Sequence, residues 1–308
     1  MEKGNLLLTL KRPDDRPGFD RPITANEQPL LSLRRRRMSK IGRLRTALLQ
    51  LLEEHRNDAM LPTSGRFLFY ELVQRQIISK ERKPGGGRRP DQDMSDALTD
   101  LRESGQVPWD WIVDETRPIR YHLCYRSSKE GLKTKLPYVR LDPWNRQAPF
   151  TLTESRSLAG VLDDLCAQFC VNIAATNGQC GGFLHTDVIP LLTQGAHILY
   201  LGDFDLAGND IEANTRRVLE REVGKLRWER LALTRELVEQ YDLPVIIKHD
   251  RRFADGGAHE AVETEALSQR IIVEIVQNRL QELLPEPLES VHEREEQQRR
   301  QIEQLLDL

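Results

Sequence analysis

The sequence predicts an α/β protein in two parts, a helical front domain and a mostly parallel sheet domain behind it. Three observations lead there. Amphipathic helical runs separated by polar breaks fill residues 39–104. From Pro149 onward strand-like and helix-like runs alternate, the order that parallel strands with helical crossovers require. At 308 residues the chain is also long enough for two domains, each with its own core.

Residues 1–38 mix Pro, Asp, Arg and Asn with little periodicity and are expected to form a flexible arm. "SKIGRLRTALLQLLEEHR" follows, with Ile41, Leu44, Leu48, Leu51 and Leu52 on one helical face. "TSGRFLFYELVQRQIIS" opens on the candidate caps Thr63 and Ser64 and continues as a second helix. A Gly-rich basic loop leads to "DQDMSDALTDLRES", a third helix with Met94, Ala97, Leu98 and Leu101 facing inward. The segment "GQVPWDWIVDETRPIRYHLCY" reads as turns and short strands. Three helices and then a small β element is the order of a winged helix, here over residues 39–140, a fold that lays its third helix in a DNA groove. A plain three-helix bundle is the competing reading.

Pro137 to Pro149 reads as a connection. The sheet part then runs "PFTLTE", a helix over 156–169, "VNIAAT", the turn "NGQCGG", a helix over 183–193, "HILYLGD", a helix over 209–224, and "WERLALT". From residue 262 a long amphipathic helix, with Leu267, Ile271, Ile275 and Leu283 on a face, is expected to cover the sheet or to pair with a partner helix. A charged helical tail occupies 286–308. Cys166 and Cys170 lie one helical turn apart on a core face, and the four cysteines lack the paired spacing of a metal site.

The net charge of −3 conceals an asymmetry. Residues 1–150 carry 29 Lys and Arg against 20 Asp and Glu, a net +9, and the remainder carries 16 against 28, a net −12. The basic groups concentrate in "RRRRMSKIGRLR", with Arg34, Arg35, Arg36, Arg37, Lys40 and Arg43, and in "KERKPGGGRR", with Lys83, Arg88 and Arg89. Such a front half suits a polyanion, and these residues are the candidate contacts to double-stranded DNA. A solvated charged surface is the bland alternative. No apolar run approaches the roughly 20 residues that span a bilayer, and the N-terminus lacks a signal-peptide pattern, so no membrane partner and a cytoplasmic location are expected.

The acidic back half offers a more specific signal. In "HILYLGDFDLAGNDIEANTRR" an apolar strand ends in Asp203 and Asp205, two residues apart and so able to aim at one point. The carboxyl ends of parallel strands are where such sheets usually place their sites. Glu154 closes the first strand and adds a third carboxylate, as a ligand or as a general acid/base. Oxygen-only ligands of this kind select Mg²⁺ or Mn²⁺. Gly208 lets the backbone pass close to the acids, and Asp210 is expected to start the following helix. Lys248, Asp250 and Arg251 in "VIIKHDRRF", and Glu263 and Glu265 in "AVETEAL", either border the site or form surface salt bridges, while His249 reads as a loop histidine.

"TES" on a first strand and "GDFDLAG" on a third, with the intervening β-α spacing, resemble the Toprim domain over about 148–240. Many Toprim sequences carry a Lys after the glutamate where this chain has Ser155. "SGRFLFYELVQ" resembles the Arg-x-x-Tyr-Tyr stretch of the A subunit of topoisomerase VI and the related meiotic double-strand-break enzymes, with Arg66 at the arginine, Phe69 in place of the first tyrosine and Tyr70 at the second. The resemblance implies an N-terminal winged helix followed by a Toprim domain with its C-terminal helix, over about 148–285. It also implies attack on DNA by Tyr70 and a homodimer whose two sites combine parts of both subunits. Tyrosine needs help from a cation or base to act near neutral pH, so Arg66 would be catalytic with it. Tyr121 and Tyr125 are rivals, and a core role for Tyr70 is the alternative. The chain has no Gly-x-x-x-x-Gly-Lys stretch, so strand passage would need a separate ATPase subunit. Three functions follow: a Mg²⁺-dependent transesterase acting through Tyr70, a hydrolytic Toprim nuclease such as those used against foreign DNA, and a non-catalytic DNA-binding or assembly module.

Overall fold

The computed structural model describes residues 39–80, 89–113, 123–178, 181–249 and 257–307. The expected arm, and with it Arg34, Arg35, Arg36 and Arg37, lies outside the described residues, as do Lys83, Arg88, Tyr121, Cys180, Asp250 and Arg251.

Three helices open the described chain. Ser39 Oγ accepts from the Gly42 N–H at 3.0 Å and starts α1 (Lys40–Asn57), Ser64 Oγ does the same for Phe67 at α2 (Gly65–Gln74), and proline leads α3 (Pro90–Glu103). Their apolar faces meet in one core built from Leu44, Leu48, Leu51 and Leu52, Leu68 and Leu72, and Met94, Ala97, Leu98 and Leu101. Ile41, in the first turn of α1, was expected on that face but is 52% exposed and borders a cleft against Asp93, Ala97 and Asp100 of α3. Of the segment expected to form the small β element, residues 114–122 lie outside the described residues; the described part holds a 3₁₀ turn at Trp109–Trp111 and one bridge, Thr63 to Ile112. A helix, α4 (Ser128–Lys135), forms next, started by Ser127 Oγ accepting from Glu130 N–H at 3.1 Å.

Four parallel strands form the sheet, β1 (Phe150–Thr153), β2 (Asn172–Ala175), β3 (His197–Leu201) and β4 (Arg227–Ala232), in the order β2-β1-β3-β4. Every residue of β1 is buried, as a central strand covered on both faces requires. The crossovers are α5 (Arg156–Gln168) and α7 (Leu206–Val223). Between β2 and β3 the expected regular helix is broken into α6 (Gly181–Phe183), a π turn at Leu184–Val188 and a 3₁₀ turn at Ile189–Leu191, with Pro190 denying the helix a backbone donor at its end. α5 ends before Cys170, so of this pair Cys166 alone is a core-facing helical cysteine.

After β4 come α8 (Arg235–Gln240), an antiparallel hairpin of β5 (Ile246–His249) and β6 (Ala258–Ala261), a 3₁₀ turn at Thr264–Ala266, α9 (Gln269–Leu283) and α10 (Leu288–Asp307). α9 covers the sheet by packing on α5 and β4. Its buried row is Ile272, Val276 and Leu280, one residue on from the expected Ile271 and Ile275. The cap at Ser268 sets that phase and leaves Leu267 buried outside the helix. Each fully buried side chain of this row contributes about 1.5–3 kcal/mol. The charged tail is held where Glu295 of α10 accepts from Leu141 N–H at 2.7 Å and from Arg140 at 3.1 Å. Among the described residues no helix is long and apolar enough to cross a membrane.

Candidate functional site

β1 and β3 pair with Thr153 opposite Leu201, so Glu154 and Asp203 follow the ends of neighbouring strands. Glu154 Oε2 accepts from the Asp203 N–H at 3.1 Å, and Asp203 Oδ1 accepts from the N–H and hydroxyl of Thr264 at 2.8 and 3.1 Å. Arg230 of β4 donates to the carbonyls of Gly202 and Asp203 at 3.0 and 2.6 Å, which fixes the turn. A Cβ on Gly208 would lie 2.5 Å from the Asp203 carbonyl oxygen and 3.2 Å from Glu154 Oε2, so glycine there is a condition of the two acids standing together.

Glu265 completes the group. It is 1% exposed, and its Oε1 accepts from Ser155 Oγ at 2.7 Å, from Ser157 Oγ at 3.0 Å and pairs with Arg66 at 3.2 Å. Its Oε2 is buried with no hydrogen-bond partner among the described residues. Burial first, and then the charges of Glu265 and Glu154, push Asp203 up to about 7. Burial, with Asp205 and Glu265, raises Glu154 as well. These carboxylates crowd one another in a poorly hydrated place.

Asp205 does not share a point with Asp203 as its spacing implied. Its Oδ1 caps α7 by accepting from Gly208 N–H at 2.6 Å, and its Oδ2 pairs with Lys248 Nζ of β5 at 2.7 Å. Burial works to raise it, but the bond and charge of Lys248 and the Gly208 N–H outweigh this and lower it. α7 therefore starts at Leu206, and Asp210, expected to open the helix, is an exposed residue within it.

Tyr70 and Arg66 stand on α2 beside the same acids. Tyr70 is 6% exposed and donates its hydroxyl to Glu263 Oε2, which Arg66 also reaches at 2.8 Å; Lys80 holds the other oxygen at 3.0 Å and lies 4.7 Å from the Tyr70 ring centre. Burial, and then the bond to Glu263, push the phenol far above its usual range. Burial would raise Glu263, yet the Tyr70 hydrogen bond and the charges of Lys80 and Arg66 bring it down to about 2. A cleft of about 570 Å³ opens here, bordered by Arg66, Tyr70, Lys80, Arg156 and Glu263. Tyr125, a rival nucleophile by sequence, packs instead against Gly131 of α4.

The described basic candidates of the front half are exposed. Lys40 pairs with Asp93 at 2.7 Å and Arg89 with Asp91 at 3.6 Å, while Arg43 forms no ion pair among the described residues. His249 ends β5 rather than lying in a loop. Sequence reading placed Glu154, Asp203 and Lys248 near the site but missed Thr264 and Arg230, whose own segments carry no sign of it. Only the β3–β4 pairing and the turn after β6 bring them in.

No family model, curated protein or solved structure matches this chain. The residues themselves must therefore carry the assignment. Among the described residues no three His, Cys, Asp or Glu side chains are gathered closely enough to hold an ion as they stand. Mg²⁺ does not ask for such a cage, since it binds through one or two carboxylates, waters and a substrate phosphate. Glu154 and Asp203 fit that requirement, and the Glu265 oxygen beside them, buried and without a hydrogen-bond partner among the described residues, leaves acceptor capacity unused there although Arg66 pairs with its other oxygen.

Proposed function

We propose that this chain is a metal-dependent nuclease that hydrolyses DNA phosphodiesters at the carboxyl end of the β1–β3 pair. The observation that carries the reading is the set of mutually repelling acids at the strand ends, the half-buried Glu154 and Asp203 beside the buried Glu265, with Asp203 pushed up to about 7. Glu154 and Asp203 would hold Mg²⁺ or Mn²⁺. When bound, that ion supplies neutralisation of the charge that develops on the phosphate under attack. Glu154 would hold the ion through one carboxylate oxygen and leave the other to take the proton of the attacking water. Arg230 keeps the Asp203 turn in place, and Lys248 neutralises Asp205. DNA as the substrate rests on the basic front half and on the resemblance to winged-helix and Toprim proteins.

The transesterase reading takes support from Arg66 and Lys80, two cations beside Tyr70. Against it, the phenol is enclosed, donates a hydrogen bond to the Glu263 carboxylate and resists ionisation. Hydrolysis also needs no second subunit, whereas the tyrosyl reading implies a homodimer and an ATPase partner. Incubation of the full chain with end-labelled duplex DNA and Mn²⁺, quenched with denaturant, separates the two. Hydrolysis leaves free ends and survives in Tyr70→Phe; a labelled protein adduct that disappears in Tyr70→Phe establishes the tyrosine as nucleophile. A chain that binds DNA without cutting it in any metal leaves the DNA-binding module as the correct class.

A further inference from the structure

Resting on the metal reading above, we propose that the Lys248 ammonium takes the place of a second divalent cation, so that the site binds one metal ion and uses a lysine where related chemistry uses two ions. Two carboxylates spaced as Asp203 and Asp205 suit a pair of ions, each neutralising one side of a phosphate. Here the two are treated differently. Asp203 and Glu154 carry no cationic side chain within hydrogen-bond distance among the contacts described, and they repel one another and Glu265. Asp205, whose side chain is 6% exposed, already has a full positive charge 2.7 Å from its Oδ2, and its Oδ1 is spent on the Gly208 N–H. Each oxygen of Asp205 already has a partner, and the Lys248 charge beside it opposes the approach of a second cation.

Lys248 is well placed for more than charge balance. It extends from β5, its side chain is 44% exposed, and besides Asp205 it feels the charges of Glu263 and Asp203. It also borders a cleft of about 370 Å³ that Tyr70, Lys80 and Glu263 share with the larger cleft. Lys248 therefore both pairs with Asp205 and borders open space. Lysine is a compact charge with three donors, so it can hold a carboxylate and a phosphate oxygen together.

The test is the number of ions bound. Equilibrium dialysis against Mn²⁺, with free Mn²⁺ read by electron paramagnetic resonance, should give one tight ion per wild-type chain. Lys248→Ala should bind two, because Asp205 is then free to take an ion. Lys248→Arg, which keeps the charge, and the double variant Lys248→Ala/Asp205→Asn, which removes the ligand, should each bind one. Two ions on the wild type, or one on a Lys248→Ala variant whose circular dichroism is unchanged, overturns the proposal while leaving the metal reading intact. No bound ion in any form overturns both. Should Lys248→Ala fail to fold, Lys248→Gln takes its place with the same two outcomes.

Discussion

Replacing Asp203 by asparagine should make the protein more stable at pH 8 in the absence of divalent metal, although it removes a site residue. Burial and the charges of Glu265 and Glu154 push the Asp203 carboxyl from the usual range near 4 up to about 7. Below pH 4 the group is protonated whether the chain is folded or not, and it has no effect. Between about pH 4 and 7 the unfolded chain releases the proton and the native chain keeps it, so wild-type stability falls as pH rises through that window. At about 1.4 kcal/mol per pH unit the loss is at most about 4 kcal/mol, and about half of that after solvent screening. Asparagine keeps the oxygen that accepts from Thr264 and cannot ionise. The variant should therefore melt roughly 4–8 °C above wild type at pH 8 and level with it at pH 4, by the usual relation between stability and melting temperature. Mg²⁺ at pH 8 should raise the wild type and leave the variant nearly unmoved. Thermal melts followed by circular dichroism decide the matter: an equal gain at both pH values, or a loss at pH 8, refutes the electrostatic account of the site.

The other predictions test the surroundings of the acids. Glu263→Gln should destabilise the chain by roughly 2–3 kcal/mol at pH 7, since Glu263 is held down to about 2 against an ordinary value near 4.3. That contribution is present above about pH 4.3 and lost on the way down to about pH 2, so urea titrations should show the difference shrinking in acid. Gly208→Ala should cost about 1–3 kcal/mol by overpacking and weaken Mn²⁺ binding at least about tenfold, because the new Cβ meets the Asp203 carbonyl oxygen and Glu154 Oε2; unchanged Mn²⁺ affinity in a folded variant would show that these two acids do not hold the ion. DNA affinity should fall on a log scale by about 0.9 per contacted phosphate for each log unit of salt, and replacing Arg34, Arg35, Arg36 and Arg37 by alanine should flatten that slope in fluorescence anisotropy titrations. An unchanged slope would take those arginines out of the interface.

Much of the architecture is written in short stretches of chain. Helix caps at Ser39, Ser64 and Ser268, the heptad-like spacing of Leu44, Leu48 and Leu51, and the apolar strands before Glu154 and Asp203 act over a few residues, and each can be read without knowing what packs against it. The same locality places Glu154 and Asp203 at strand ends, where parallel pairing makes them neighbours. Partner choice is another matter. Asp205 and Asp203 look alike in sequence, yet Lys248, 43 residues on, claims one of them, and Thr264, 61 residues on, binds the other. Arg66 and Tyr70 meet Glu263 across more than 190 residues. Ile272 rather than Ile271 enters the core because the cap and the sheet surface together set the phase of α9. Hydrophobic period and capping depend on neighbours in the chain, whereas the state of a buried charge depends on which other charges and donors packing brings within a few ångströms, and that is decided only when the distant segments close around it.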